Sequence, residues 1–103
     1  MSRGPDAATL VERRLRIAAE AAGVTVALAA SDPTPWASAT FNGARHRLRV
    51  TGDGAAFEHW IAALPEADLP LRGHLVADLQ VVARTVAPDG IAFDLEILTV
   101  EER

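Results

Sequence analysis

Arg45, Arg47 and Arg49 recur at alternate positions, and Trp36 stands in the apolar stretch before them. At a period of two, the guanidinium groups line one side of an extended segment. Their planar forks suit phosphate or carboxylate, and a neighbouring indole can stack on a base. The same stripe can instead be a solvated sheet face, with Arg49 over Trp36 as a cation–π pair. His46 alternates onto the opposite, apolar side. There it is either a hydrogen-bonded histidine filling space beside alanines or a pH-sensitive, ligand-contacting group, because imidazole titrates near neutrality. A small-ligand or anion site built from Trp36, Arg45, Arg47, Arg49 and His46, enzymatic in its strongest form, is one functional reading.

The remaining candidates are weaker. His74 and Asp78 would stand one turn apart on a helix and could share an ion, but on a strand four residues advance about 13 Å and they cannot. His59 lies off the apolar stripe of its segment, as a surface residue would. Asp94 and Glu96 share one side of the last apolar run, about 7 Å apart along a strand, a spacing compatible with paired-carboxylate catalysis. A cross-strand partnership of Asp94 with Arg84 explains the pair more simply. Gly52-Asp53-Gly54 ahead of a helix reads as a turn with an N-cap, although a small anion would also fit there. No serine elbow, phosphate loop or dinucleotide fingerprint occurs. The chain has no cysteine, so disulfides, thiolate metal sites and cysteine nucleophiles are excluded. No catalytic residue, metal site or cofactor is expected.

The 103 residues fit one domain spanning the whole chain. Half are hydrophobic and 23% are charged, so disorder is expected only at residues 1–4 and 102–103. The formal net charge of −4 argues against general nucleic-acid binding. No apolar run approaches the ~18 residues of a membrane span and none opens the chain as a signal peptide, so the expected location is the cytoplasm. All ten basic residues are arginine, which fits a GC-rich bacterial genome.

Leu10, Val11, Leu15, Ala18 and Ala22 recur at helical spacing between Pro5-Asp6 and Gly23, predicting a first helix. Residues 24–29 alternate as a strand, and residues 31–35 carry turn chemistry. Residues 36–41 and 44–51 flank Asn42-Gly43, which suits a two-residue type I′ turn. That turn would pair Phe41 with Ala44, Ala39 with His46 and Ala37 with Leu48. Trp36, Ser38 and Thr40 would then face the arginines, Trp36 opposite Arg49. Phe57, Trp60, Ile61 and Leu64 form the apolar stripe of a second helix ending at Pro65. A loop follows, with Leu69 and Leu71 tucked down.

Residues 74–86 and 91–100 read as a second hairpin around Ala87-Pro88-Asp89-Gly90. Residues 74–86 also match a helical period, but their valine-rich end and consistent pairing favour strand. A three-residue bulged turn sets Arg84 against Asp94, Ala83 against Leu95, Val81 against Ile97 and Leu79 against Thr99. Leu75, Ala77, Leu79, Val81, Ala83, Phe93, Leu95 and Ile97 then form the core side. A two-residue turn, setting Ala83 against Asp94 and Arg84 against Phe93, fits the pattern less well. The expected fold is α+β in the order α-β-β-β-α-β-β: a mainly antiparallel sheet of about five strands with two helices on one face.

The outer side of the second hairpin mixes Val76, Val82, Leu98 and Val100 with Arg84, Asp94 and Glu96. A face left wholly to water alternates more cleanly, so this one calls for cover, and a homodimer is the expected form. In element order, size and acidic balance the chain resembles the class of small dimeric secretion chaperones, which bind partner segments on helices and sheet edges. That class usually ends in a further helix, whereas three residues follow Val100 here. The resemblance implies a dimer that holds a partner protein. The leading functional reading is therefore a non-catalytic interaction or accessory domain.

Overall fold

The computed structural model describes residues 6–102 of the chain. The first helix, α1, spans Ala7–Ala21. Asp6 caps it by accepting a hydrogen bond from the Thr9 backbone N–H at 2.9 Å, which satisfies one of the free donors of the first turn. Its buried residues Val11, Leu15 and Ala19 repeat every fourth position and so form one stripe. Gly23 ends it at φ +72°, a left-handed conformation that glycine adopts without strain. The second helix, α2, spans Gly54–Ala63 and runs into a single 3-10 turn at Leu64–Glu66. Asp53 occupies its N-cap position but makes no side-chain capping bond. Leu69 is buried and Leu71 half-buried in the loop that follows.

The strands are β1 (Ala27–Ala30), β2 (Thr34–Ala37), β3 (Asn42–Gly52), β4 (His74–Ala87) and β5 (Gly90–Glu101). They form an antiparallel sheet in the order β1-β3-β5-β4, with β2 also paired to β3. Observed order and architecture agree with the α+β expectation. Of the ends expected to be disordered, residues 1–4 and 103 lie outside the described residues. Glu102 is tied down, its backbone N–H donating to the Gly73 carbonyl at 2.9 Å.

The first hairpin departs from its expected register. Trp36 pairs with Gly43 and Ala37 with Asn42, so Asn-Gly lies inside β3 and the turn falls at residues 38–41. Ser38 closes that turn: its backbone N–H donates to the Phe41 carbonyl at 2.8 Å and its Oγ accepts from the Phe41 N–H at 3.0 Å. The pairs of Phe41 with Ala44, Ala39 with His46 and Ala37 with Leu48 do not form. The physical reason is competition for one edge. β1 pairs with residues 48–51 of β3 and Ser31 donates to the Arg47 carbonyl, so β2 takes residues 42–45 at the other end of the edge. Gly43 serves close approach instead of a turn. A Cβ there would come within 2.8 Å of the Trp36 ring and would also meet the Thr99 carbonyl oxygen. β1 itself begins at Ala27, while Val24 and Val26 pack against the core from the preceding loop.

The second hairpin makes the two-residue turn. Ala87 pairs with Gly90, Arg84 with Phe93 and Ala83 with Asp94. Proline at the second turn position and glycine at the fourth suit a type I turn, and no described non-glycine residue has positive φ, which excludes type I′. The extra residue moves into β4, where the register shifts at Val82 and again at Ala77. These shifts return Val81 to Leu95 and Leu79 to Ile97, restoring the core side between them. They also reverse two assignments. Leu75 pairs with Val100 on the outer side and is 56% exposed, whereas Val76 turns to the core side opposite Thr99. Ala77 and Ala83 are exposed and do not join the core.

One hydrophobic core results. Leu48 and Val50 of β3, Leu79 of β4 and Phe93, Leu95 and Ile97 of β5 pack against Val11 and Leu15 of α1 and Phe57, Trp60, Ile61 and Leu64 of α2 and its 3-10 turn. Both helices therefore cover the same side of the sheet.

Candidate functional site

Alternation along β3 decides where the candidate residues fall. His46, Leu48 and Val50 are buried against the helices, and Arg45, Arg47 and Arg49 project from the other side. The antiparallel register extends these rows across the sheet. At the level of Gly43 the outer face carries Trp36, Val100 and Leu75; at Arg45 it carries Leu98 and Asp78; at Arg47, Glu96 and Gln80; at Arg49, Asp94 and Ala83. No described helix covers this face. Leu75 and Val82 are more than half exposed, while Trp36, Leu98 and Val100 are half-buried among their neighbours.

The arginines are matched by acids on the next strand. Arg49 holds Asp94 through two hydrogen bonds of 2.8 and 3.1 Å. Those bonds raise the Arg49 pKa and lower that of Asp94, keeping both charged over the ordinary pH range. Arg45 and Arg47 both approach Glu96 at 3.4 Å. Gln80 donates to Asp78 at 2.9 Å on the same face. The three arginines of β3 thus stand beside Asp94 and Glu96, with Asp78 one strand further on the same face, and the face is charge-balanced. A shallow basin of about 550 Å³, with Val82, Arg47, Arg49, Asp94 and Glu96 on its walls, occupies its centre.

Two expected contacts are replaced. Asp94 is taken by Arg49 of the neighbouring strand, and Arg84 does not reach it. Beyond the Val82 shift, Arg84 turns toward the helices, where it donates to Glu58 of α2 at 2.9 Å and lies over the Phe93 ring at 5.9 Å. Trp36 stands opposite Gly43, six residues along β3 from Arg49, so the Arg49–Trp36 stack does not form.

His46 is 3% exposed and faces Ile97, not Ala39. Its Nε2 lies 2.9 Å from Thr99 Oγ1, and the hydroxyl can donate to or accept from the ring. Thr99 is itself buried and sits 3.4 Å from the Ala44 carbonyl. Burial lowers the His46 pKa and nearby His74 lowers it further, while Asp6 at the start of α1 pulls the other way. Its neutral form is therefore favoured inside the fold, on the opposite side of the sheet from the arginines. His74 and Asp78 lie on a strand, with the Ala77 shift between them, and no group of three potential ligands occurs among the described residues. His59 is exposed.

Thr99 and Glu58 are the partners that reading the sequence missed. Thr99 could have been found from its place in the buried alternation of Phe93, Leu95 and Ile97; Glu58 could not, because its contact depends on the shift at Val82. No protein-family model matches the chain, and no curated protein matches it. No described helix is long and apolar enough to cross a membrane.

Proposed function

We propose that the protein is a non-catalytic interaction module that binds another protein surface through the outer face of its sheet. The observation that carries this reading is a continuous face with Trp36, Leu75, Val82, Leu98 and Val100 among balanced charges, left open by helices that both lie on the opposite side. Apolar area interspersed with paired charges is the composition of a protein-binding surface, where hydrophobic anchors give affinity and charge pattern gives register. The resemblance in element order to small dimeric secretion chaperones supports the same reading, with the domain acting as a cytoplasmic accessory protein.

The anion-site alternative loses support on two counts. Every arginine of the stripe already has a carboxylate within 3.4 Å. His46 also faces the core, so it and the arginines do not converge on one ligand.

A photo-crosslinking amino acid placed at Leu98, in the middle of the face, tests the proposal in cells of the source organism. A control at Arg13, exposed on α1, samples the covered side. Discrete protein adducts from position 98 and none from position 13 are expected. Absence of adducts from position 98, or the same adducts from both positions, would overturn the interface reading.

A further inference from the structure

We infer that the surface fitting this face is a second copy of the chain, docked face to face about a two-fold axis parallel to the strands and midway between β3 and β5. The inference rests on reading the outer face as an interface, and adds its occupant and geometry.

The argument is one of self-complementarity. An isologous interface must match its own rotated image. Two packed sheets keep their strands within about 30° of each other and about 10 Å apart, so the axis lies between them and runs either along or across the strands. An axis across the strands lays β3 of one copy on β3 of the other. Arginine row then meets arginine row, and like charges brought together are destabilising.

An axis along the strands, midway between β3 and β5, exchanges left for right and keeps height. It lays β3 on β5 of the second copy and the β1–β2 edge on β4. Since Arg47 pairs in register with Glu96 and Arg49 with Asp94, each of these two arginines then meets a carboxylate of the other copy at its own level. The same operation places Arg45 over Leu98, where the arginine stem can pack on the leucine. Trp36, whose ring lies across Gly43, comes to lie over Val100 and beside Leu75, the most exposed apolar residue at that end of the face. One rotation thus satisfies the charged rows and the apolar end together.

Size sets the strength. Four strands about 4.8 Å apart and about nine residues at about 3.4 Å each give a footprint of roughly 600 Å². That is smaller than the ~800 Å² per partner of a standard interface, so a reversible, concentration-dependent dimer is expected.

Charge exchange between two variants of the full chain is the test. In one, Arg45→Glu, Arg47→Glu and Arg49→Glu make both rows acidic; in the other, Asp94→Arg and Glu96→Arg make both rows basic. The parent should sediment as a dimer at tens to hundreds of micromolar. Each folded variant alone should associate at least tenfold more weakly, and an equimolar mixture should restore a one-to-one heterodimer. If a multiple variant fails to fold by circular dichroism, Arg47→Glu mixed with Glu96→Arg provides the same comparison. A parent that is monomeric at millimolar concentration overturns the inference, as does a dimer unaffected by both variants, or folded variants that do not complement each other. A monomeric parent whose position 98 still crosslinks a different protein removes the second copy and leaves the interface reading intact. Absence of adducts from position 98 together with a dimer indifferent to both variants removes both.

Discussion

His46 shows how one residue can be built into a fold at the expense of its own charge. Its Nε2 meets the Thr99 hydroxyl, Oγ1 at 2.9 Å, in a position that is 3% exposed. Burial, reinforced by His74, depresses the folded-state pKa below the ordinary histidine value of about 6.5 that the unfolded chain retains. The unfolded state therefore binds the proton more readily as pH falls, and stability decreases with it. The His46 contribution should be fully present above about pH 6.5 and decline from there down toward the folded-state pKa. Urea unfolding at successive pH values between 7.5 and 5 measures this slope. In His46→Gln the slope over that window should become shallower by up to one proton; an unchanged slope would show that His46 does not carry it. Asp6 and Asp94, whose folded-state pKa values are also lowered, act in the same direction at lower pH: their contributions are present above the ordinary carboxylate range and lost below it.

At the scale of elements, α2 is held by the stripe Phe57, Trp60, Ile61 and Leu64, all buried on the sheet, with Phe57 against Phe93 at a ring-centroid distance of 5.7 Å. Trp60→Ala should cost about 3–5 kcal/mol, as truncations of large core side chains do. Chemical denaturation checks it, and a midpoint equal to that of the parent would remove Trp60 from the core. This stripe was legible in the sequence because it repeats at one unambiguous period. In α1 Val11 and Leu15 were legible too, but Ala19 completes the buried stripe, while Leu10 and Ala18 are half-buried and Ala22, at the C-cap, is exposed. The side assignments of β3 were legible too, since a strict alternation of arginines with His46, Leu48 and Val50 admits one reading. The hairpins were not. Asn42-Gly43 is the strongest local turn signal in the chain, yet β1 occupies the far half of the β3 edge and the Trp36 ring needs the space over Gly43. Likewise, the residue pattern disfavours a two-residue turn between residues 87 and 90, because register shifts within a strand leave no local mark. The shifts at Val82 and Ala77 exchanged Val76 for Leu75 on the outer face and gave Asp94 to Arg49. The candidate face was therefore visible as a mixed surface, while its pairings depended on contacts between segments far apart in the chain.

Over the whole molecule, stability should be distributed as unevenly as the cover. β5 pairs along nearly its full length with β3 on one side and β4 on the other, and its residues 93, 95, 97 and 99 are buried. Opening it requires breaking the core and both helices' contacts at once. β2 has four residues, one of them Pro35, pairs only with β3 and has no fully buried side chain. Regions with few buried contacts open locally at low free energy, whereas core strands exchange their amides only when the whole domain unfolds. Native-state hydrogen exchange at low protein concentration should therefore find the amides of residues 93–99 slowest, with exchange rates tracking global unfolding as denaturant is added. The ladder amides of β2 should exchange at least tenfold faster and respond little to denaturant. Equal protection of β2 and β5 under dilute conditions would show that β2 belongs to the cooperative core. Concentration gives a second axis to the same experiment. A ligand that binds the native state adds stability by mass action, and a second copy is such a ligand. Since the proposed axis brings Trp36 onto Val100 and Leu75 of the other copy, protection of β2 should rise with protein concentration in the parent. In the variant carrying Arg45→Glu, Arg47→Glu and Arg49→Glu it should stay flat, and the same rise in both would separate the protection of β2 from the charged face.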